Sequence, residues 1–143
     1  MPTRQQIRFC NAHDGVRLAF ARAGEGPPLV RAAHWMSHLE FDWQNPVWRP
    51  WLEALCSRHT LFRYDERGCG LSDWDVSDFT LDAWVRDLET VVDAAGLERF
   101  SLLGMSQGGP VAIVYAARHP ERVEKLIWRW TKHRQRTASR NGS

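Results

Sequence analysis

No stretch of the 143-residue chain approaches the ~18 to 20 consecutive apolar residues that a membrane span needs. The opening Met1-Pro2-Thr3-Arg4-Gln5 also lacks the apolar run of a secretory leader. The expectation is a soluble, cytoplasmic protein with no membrane partner. Cysteine is scarce: Cys10, Cys56 and Cys69 lie far apart with no C-x-x-C spacing, which points away from a disulfide framework or a zinc site and leaves buried or partly buried thiols. Internal repeats and low-complexity linkers are lacking as well. What remains, 43% hydrophobic and 25% charged residues, is the composition of a single globular domain rather than a disordered or fibrous segment.

Tryptophan, by contrast, is abundant. Five of the eight, Trp35, Trp43, Trp48, Trp51 and Trp74, fall between residues 35 and 74 and imply a large apolar surface in the first half. The net charge of +2 hides an asymmetry. After Trp128 every charged residue is basic: Arg129, Lys132, Arg134, Arg136 and Arg140. With those five set aside, 14 Lys and Arg face 17 Asp and Glu, a net of −3. The chain therefore divides into a body, residues 1–127, and a basic C-terminal tail, residues 128–143. A nucleic-acid arm is one reading of such a tail and a solvated end is the other; the acidic balance of the body makes nucleic acid an unexpected partner.

The apolar pattern alternates between strands and helices, the signature of an α/β fold. Residues 7–10 and 16–23 read as strands around His13-Asp14-Gly15, whose Asp-Gly favours a tight hairpin turn. Residues 28–33 and 61–64 read as two further strands, ending at His34-Trp35 and at Asp65. Between them a helix is expected to start at Asn45-Pro46, with Val47, Trp48, Trp51, Leu52 and Leu55 at helical spacing. The strongest helical pattern follows Thr80 and stops at Gly96. Phe100-Ser101-Leu102-Leu103 is a compact uncharged run of the kind found in strands covered on both faces. Residues 110–119 then read as a helix and 123–128 as a last strand. Strands separated by helices imply a mostly parallel sheet flanked by helices, with ligand chemistry gathered at the carboxyl ends of the strands.

Gly104-Met105-Ser106-Gln107-Gly108 matches G-x-S-x-G and sits between an apolar strand and a helix, where its physics requires it. On so sharp a turn the serine takes strained backbone angles, and the two glycines let strand and helix approach, so its hydroxyl is exposed above the sheet. The Gln107 N–H, at the helix N-terminus, would face a developing oxyanion.

Three motifs in one order resemble the α/β-hydrolase superfamily. Ala33-His34-Trp35 resembles the oxyanion turn after its third strand. The run from Arg63 to Ser72 resembles its D-x-R-G-x-G-x-S segment, and the run from Ala116 to Val123 resembles the lead into its sixth strand. The resemblance covers the chain to about Ile127. It implies a truncated α/β-hydrolase core whose Ser106 attacks a carbonyl carbon, with the backbone N–H groups of Trp35 and Gln107 as oxyanion hole and with no metal or organic cofactor. Trp35 stands where the family's oxyanion turn usually has glycine. Haloalkane dehalogenase and epoxide hydrolase chemistry is not implied, because those members use a carboxylate at the position of Ser106. The family's order is serine, acid, histidine, and the resemblance ends before the segments that supply acid and base.

A serine hydroxyl needs a base. Of six histidines, His13 and His59 lie away from the strand ends, and His119 sits at the far end of the helix after Ser106, ~20 Å along its axis. His34, with Asp65 as orienting acid, is the first choice; His38, with Asp42, and His133 of the tail are the second. The resemblance also implies the ordinary family place of His34 as a brace of the oxyanion turn, and that of Asp65 with Arg67 as a structural ion pair more often than as catalysts. The expected activity is serine hydrolysis of small, short-chain carboxylic esters in a wide, poorly selective site. The alternative is a catalytically silent interaction or assembly domain. An open last strand bearing Val123, Leu126, Ile127, Trp128 and Trp130 makes a homo-oligomer the expected assembly.

Overall fold

The computed structural model describes residues 4–34 and 37–129. Among them the chain runs β1 (Gln6–Asn11), β2 (Arg17–Gly24), β3 (Pro28–Arg31), α1 (Leu39–Gln44), α2 (Arg49–Cys56), β4 (Thr60–Tyr64), α3 (Leu81–Ala94), β5 (Phe100–Met105), α4 (Gly108–Arg118) and β6 (Val123–Arg129). The six strands form one mixed sheet in the order β1-β2-β4-β3-β5-β6. The β1–β2 and β2–β4 pairings are antiparallel and the other three are parallel. The expected hairpin closes through Gly15 at φ 86°, with the Ala12 N–H donating to the Val16 carbonyl at 2.8 Å.

Neighbouring strand residues point to opposite faces, and both faces here are covered. Val30, Phe62 and Leu102 pack beneath α3 and α4, against Val85, Leu88 and Val111. The adjacent Leu29, Leu61 and Leu103 pack beneath α1 and α2, against Trp43 and Leu52. This two-sided burial is why the central strands carry continuous apolar runs. Helix α3 begins where the Thr80 hydroxyl accepts from the Ala83 N–H at 3.2 Å, and it ends at Gly96, at φ 71°.

Two boundaries differ from the sequence reading. The expected helix start at Asn45-Pro46 is instead the gap between two helices. Asn45 is the extended C-cap of α1, as the residue before a proline is disposed to be, and its side-chain oxygen accepts from the Val47 N–H at 2.8 Å. The proline that enters the next helix is Pro50, in the first turn of α2. At the other end, β6 continues through Trp128 and Arg129, the first two residues assigned to the tail; the rest of the tail lies outside the described residues. No helix among the described residues is long and apolar enough to cross a membrane.

The loop after β4 is tied down by charge. Arg67 is fully buried and grips Asp87 of α3 with two bonds, Nε to Oδ2 at 2.7 Å and Nη2 to Oδ1 at 2.8 Å. Its Nη1 also reaches Asp14 of the hairpin turn at 2.8 Å. Arg67 therefore pairs with Asp87 and Asp14 and not with Asp65, which corrects the expected ion pair. The two carboxylates raise the guanidinium's proton affinity further, so it stays charged. Arg67→Ala leaves Asp87 buried without its cation and is expected to lower stability by ~3 to 5 kcal/mol, read as a fall in the urea midpoint; a change under ~1 kcal/mol would show that the cluster does not hold the loop.

Candidate active site

The site is built where β5 turns into α4. Ser106 follows the buried end of β5, is itself exposed, and has φ 50°, the one positive φ at a non-glycine residue among the described positions. An L-residue held there is strained by roughly 1 to 3 kcal/mol. The surroundings enforce the turn: the Ser106 N–H donates to the Arg129 carbonyl of β6 at 3.2 Å, and its carbonyl accepts from the Gly109 N–H at 3.0 Å. The glycines on either side are required for space. A Cβ on Gly104 would lie 2.9 Å from both the Ala112 Cβ and the Gly109 Cα, and one on Gly108 would lie 2.8 Å from the Ala32 carbonyl oxygen. The first turn of α4 is thus pressed against β5 and against the end of β3.

Gln107 is the N-cap of α4, with helical angles φ −61° and ψ −25°, so its backbone stands at the positive end of the helix dipole. Trp35, the other expected oxyanion donor, lies outside the described residues, as does His133. Ser106 and Gln107 open onto an apolar groove of about 700 Å³ lined by Pro110, Ile113, Val114 and Trp128.

His34 is half-buried and its ring is 6.2 Å from that of Trp48. The β3–β5 register pairs Arg31 with Leu103, and the ladder extends to an Ala32 N–H bond to the Leu103 carbonyl at 2.9 Å. His34 follows Ala32 and Ala33, whose carbonyls bear on Gly108 in the first turn of α4, where an added Cβ would lie 2.8 and 3.2 Å from them. Asp65 is fully buried and serves the loop instead of a ring. Its Oδ1 accepts from the Ser37 hydroxyl at 2.8 Å, and its Oδ2 accepts from the backbone N–H groups of Leu39 at 3.1 Å and Leu71 at 2.8 Å. Asp65 thereby pins both the segment that follows His34 and the glycine turn at 68–70.

The second-choice pair is engaged in helix capping. His38 Nδ1 accepts from the N–H groups of Glu40 at 3.2 Å and Phe41 at 3.1 Å, and its ring stacks on Phe41 at 3.9 Å. With Nδ1 accepting, a neutral ring carries its proton on Nε2 and has no free lone pair for a serine proton. Asp42 accepts from the His38 backbone N–H at 3.2 Å and not from the ring. Of the other described histidines, His59 Nδ1 is 3.3 Å from the Leu55 carbonyl and His119 packs on Tyr115 near Glu89.

Two buried acids, Asp87 and Glu66, have no role assigned from the sequence, although Glu66 stands with Asp65 at a strand end. Asp87 lies on the apolar face of α3, where its spacing alone hides it. Glu66 lies at the end of β4, 6% exposed, and burial followed by the charge of Asp87 pushes its carboxyl up to about 7. Three consecutive charges, Asp65-Glu66-Arg67, after an apolar strand were the available signal. Among the described residues no group of three or more His, Cys, Asp or Glu is placed to hold a metal ion.

The α/β hydrolase fold family model matches residues 36–131. The chain belongs to the α/β-hydrolase family. A cis-3-alkyl-4-alkyloxetan-2-one decarboxylase of Shewanella oneidensis is 35% identical over 124 residues, spanning 81% of this chain and 36% of that protein. A 2-hydroxymuconate semialdehyde hydrolase of a Pseudomonas species is 32% identical over 114 residues, spanning 79% of this chain and 39% of that protein. The crystal structure of a hydrolase from Pseudomonas aeruginosa superimposes with a TM-score of 0.75 at 30% identity, over 86% of this chain and 45% of that one. The chain thus spans about two fifths of the length of the curated relatives it matches.

Gly104→Ala tests the geometry of the turn. The added methyl has no room against Ala112 and Gly109, so the variant is expected to lose ~1 to 3 kcal/mol of stability in a denaturant melt. Full retention of stability would mean that the turn is not close-packed.

Proposed function

We propose that the chain is a serine hydrolase acting on small, short-chain carboxylic esters, with Ser106 as nucleophile. The observation that carries this reading is the exposed Ser106 held at φ 50° over an apolar groove. Packing that sustains a strained, exposed hydroxyl has no evident structural use, whereas it presents the oxygen for attack. The two relatives described above are named for a hydrolase and a decarboxylase, which supports the family's chemistry more broadly than an ester substrate.

In the proposed reaction the Ser106 oxygen bonds to the ester carbonyl carbon while His34 accepts the hydroxyl proton. The negative charge moves to the carbonyl oxygen, facing the N–H groups of Gln107 and Trp35. Collapse breaks the bond to the alcohol oxygen, which takes the proton back from His34, and water then releases the acid by the same steps in reverse. Asp65 acts as a positioning residue, through the segment it holds. The groove beside Pro110 and Ile113 suits an alkyl chain and has no charge among its lining residues to select a polar one.

The second reading is an assembly domain without catalysis. It is favoured by β6, which has β5 as its sheet neighbour among the described residues and exposes Leu126, Ile127 and Trp128. A homo-oligomer paired there is the expected assembly, and a monomer by light scattering at assay concentration would rule it out.

Hydrolysis of p-nitrophenyl butyrate by the full chain decides between the readings. Ser106→Ala is expected to abolish turnover, and His34→Ala to lower kcat by ~10² to 10⁴-fold with KM little changed. Turnover unaffected by Ser106→Ala would assign any activity elsewhere, and no turnover in the wild-type chain favours the assembly domain.

A further inference from the structure

The end of β4 carries a buried acid that the proposed reaction does not use. Glu66 Oε2 has no hydrogen-bond partner, and Trp84 Nε1, from α3, is likewise buried and unpartnered. Both residues line the same small cavity of about 10 Å³, closed by Ala33, Tyr64, Asp87 and Val111. That is roughly the room one water occupies, and a site with a carboxyl group and an indole N–H offers it both kinds of partner. Leaving two such atoms unsatisfied would cost ~1 to 3 kcal/mol each.

The cavity's position gives it a bearing on the site. Ala33 forms part of its wall and precedes His34. The Ala33 backbone is hydrogen-bonded to the Tyr64 hydroxyl. The Ala32 and Ala33 carbonyls also bear on Gly108, where a Cβ would lie 2.8 and 3.2 Å from them. A change in the cavity is therefore felt by the turn beside Ser106 and by the first turn of α4.

We propose that this cavity holds one water bridging Glu66 and Trp84, and that protonated Glu66 is a positioning residue which fixes the Ala33 turn and loosens it when its proton leaves. The effect on rate rests on the ester-hydrolase reading; the water and the proton do not.

The surrounding charges are consistent with a neutral acid. From α3 the cavity is faced by Asp87, whose partner is Arg67 of the same loop; the hairpin turn contributes Asp14, bound to Arg67, and His13 near Asp87. From β1, Cys10 lies close enough to Asp87 to feel its charge. Tyr64 of β4 is neutral, its hydroxyl raised by burial. Helix α4 contributes only the apolar Val111, and the end of β3 contributes Ala33. Arg67 is taken up by its two aspartates, so an ionised Glu66 would stand against Asp87 without a cation of its own. Burial and then Asp87 raise its carboxyl from 4.5 to about 7, so the proton passes to solvent near neutrality.

The test is a carboxyl ¹³C NMR titration of the full chain, with Glu66 assigned by its disappearance in Glu66→Gln. The expected midpoint lies near 7, and Trp84→Phe, which removes a donor able to support the anion through the water, moves it upward. In p-nitrophenyl butyrate assays the wild-type kcat is expected to fall as pH rises through that midpoint, and Glu66→Gln, which cannot ionise, to lose that fall. A midpoint near 4.5, no shift in Trp84→Phe, or the same fall in Glu66→Gln would overturn the inference. If the wild-type chain turns over no ester, the hydrolase reading fails, and the NMR midpoint and its Trp84→Phe shift still decide the water and the proton.

Discussion

The close approach of the first turn of α4 to β5 and to the end of β3 is the contact on which the site depends. It exists because Gly104 and Gly108 have no Cβ, and Ser106, between them, is held at φ 50°. The strain is small beside the burial around it: Leu102 and Val111 are among the least exposed side chains in the fold, and each such residue contributes ~1.5 to 3 kcal/mol when taken out of water. A well-packed sheet and helix can therefore sustain an unfavourable serine, and the exposed hydroxyl follows from that balance.

Around this turn the polar residues at the strand ends divide their roles. Asp65 uses both carboxylate oxygens to hold the chain after His34 and the glycine turn at 68–70, while Arg67 ties the same loop to α3 and to the hairpin. Both are held by several hydrogen bonds within and beyond the loop. Their contribution is rigidity, which a catalytic turn needs because a shift of ~1 Å in a reacting group is enough to lose much of the rate. Glu66 differs from its two neighbours in having an oxygen without a partner and a proton it can lose near neutral pH.

Much of this was legible in the sequence. The strand and helix periods of β5, α3 and α4 were readable because each buries a regular face, and the G-x-S-x-G turn was readable because strand and helix flank it. Helix α1 was not, since its six residues are too few to show a period and its cap is a histidine ring in place of the usual serine, threonine or acid. Asn45-Pro46 carried the signal of a helix start, but a helix ends there instead, because proline disfavours the helical region for the residue before it. Asp87 could not be picked out as a partner because a single acid on an apolar helical face has no local signature; its role comes from Arg67, twenty positions earlier in the chain. The hydrogen bonds that Asp65 and His38 make were not legible for the same reason, since what occupies a side chain is decided by residues distant in sequence or by the backbone.

The central claim is that this strained turn makes Ser106 a nucleophile. Treatment of the native chain with a fluorophosphonate, followed by mass spectrometry of its peptides, tests it most directly. The account predicts a single covalent adduct on Ser106 that heat-unfolded chain does not form. An unmodified Ser106, or equal labelling of folded and unfolded chain, would contradict it.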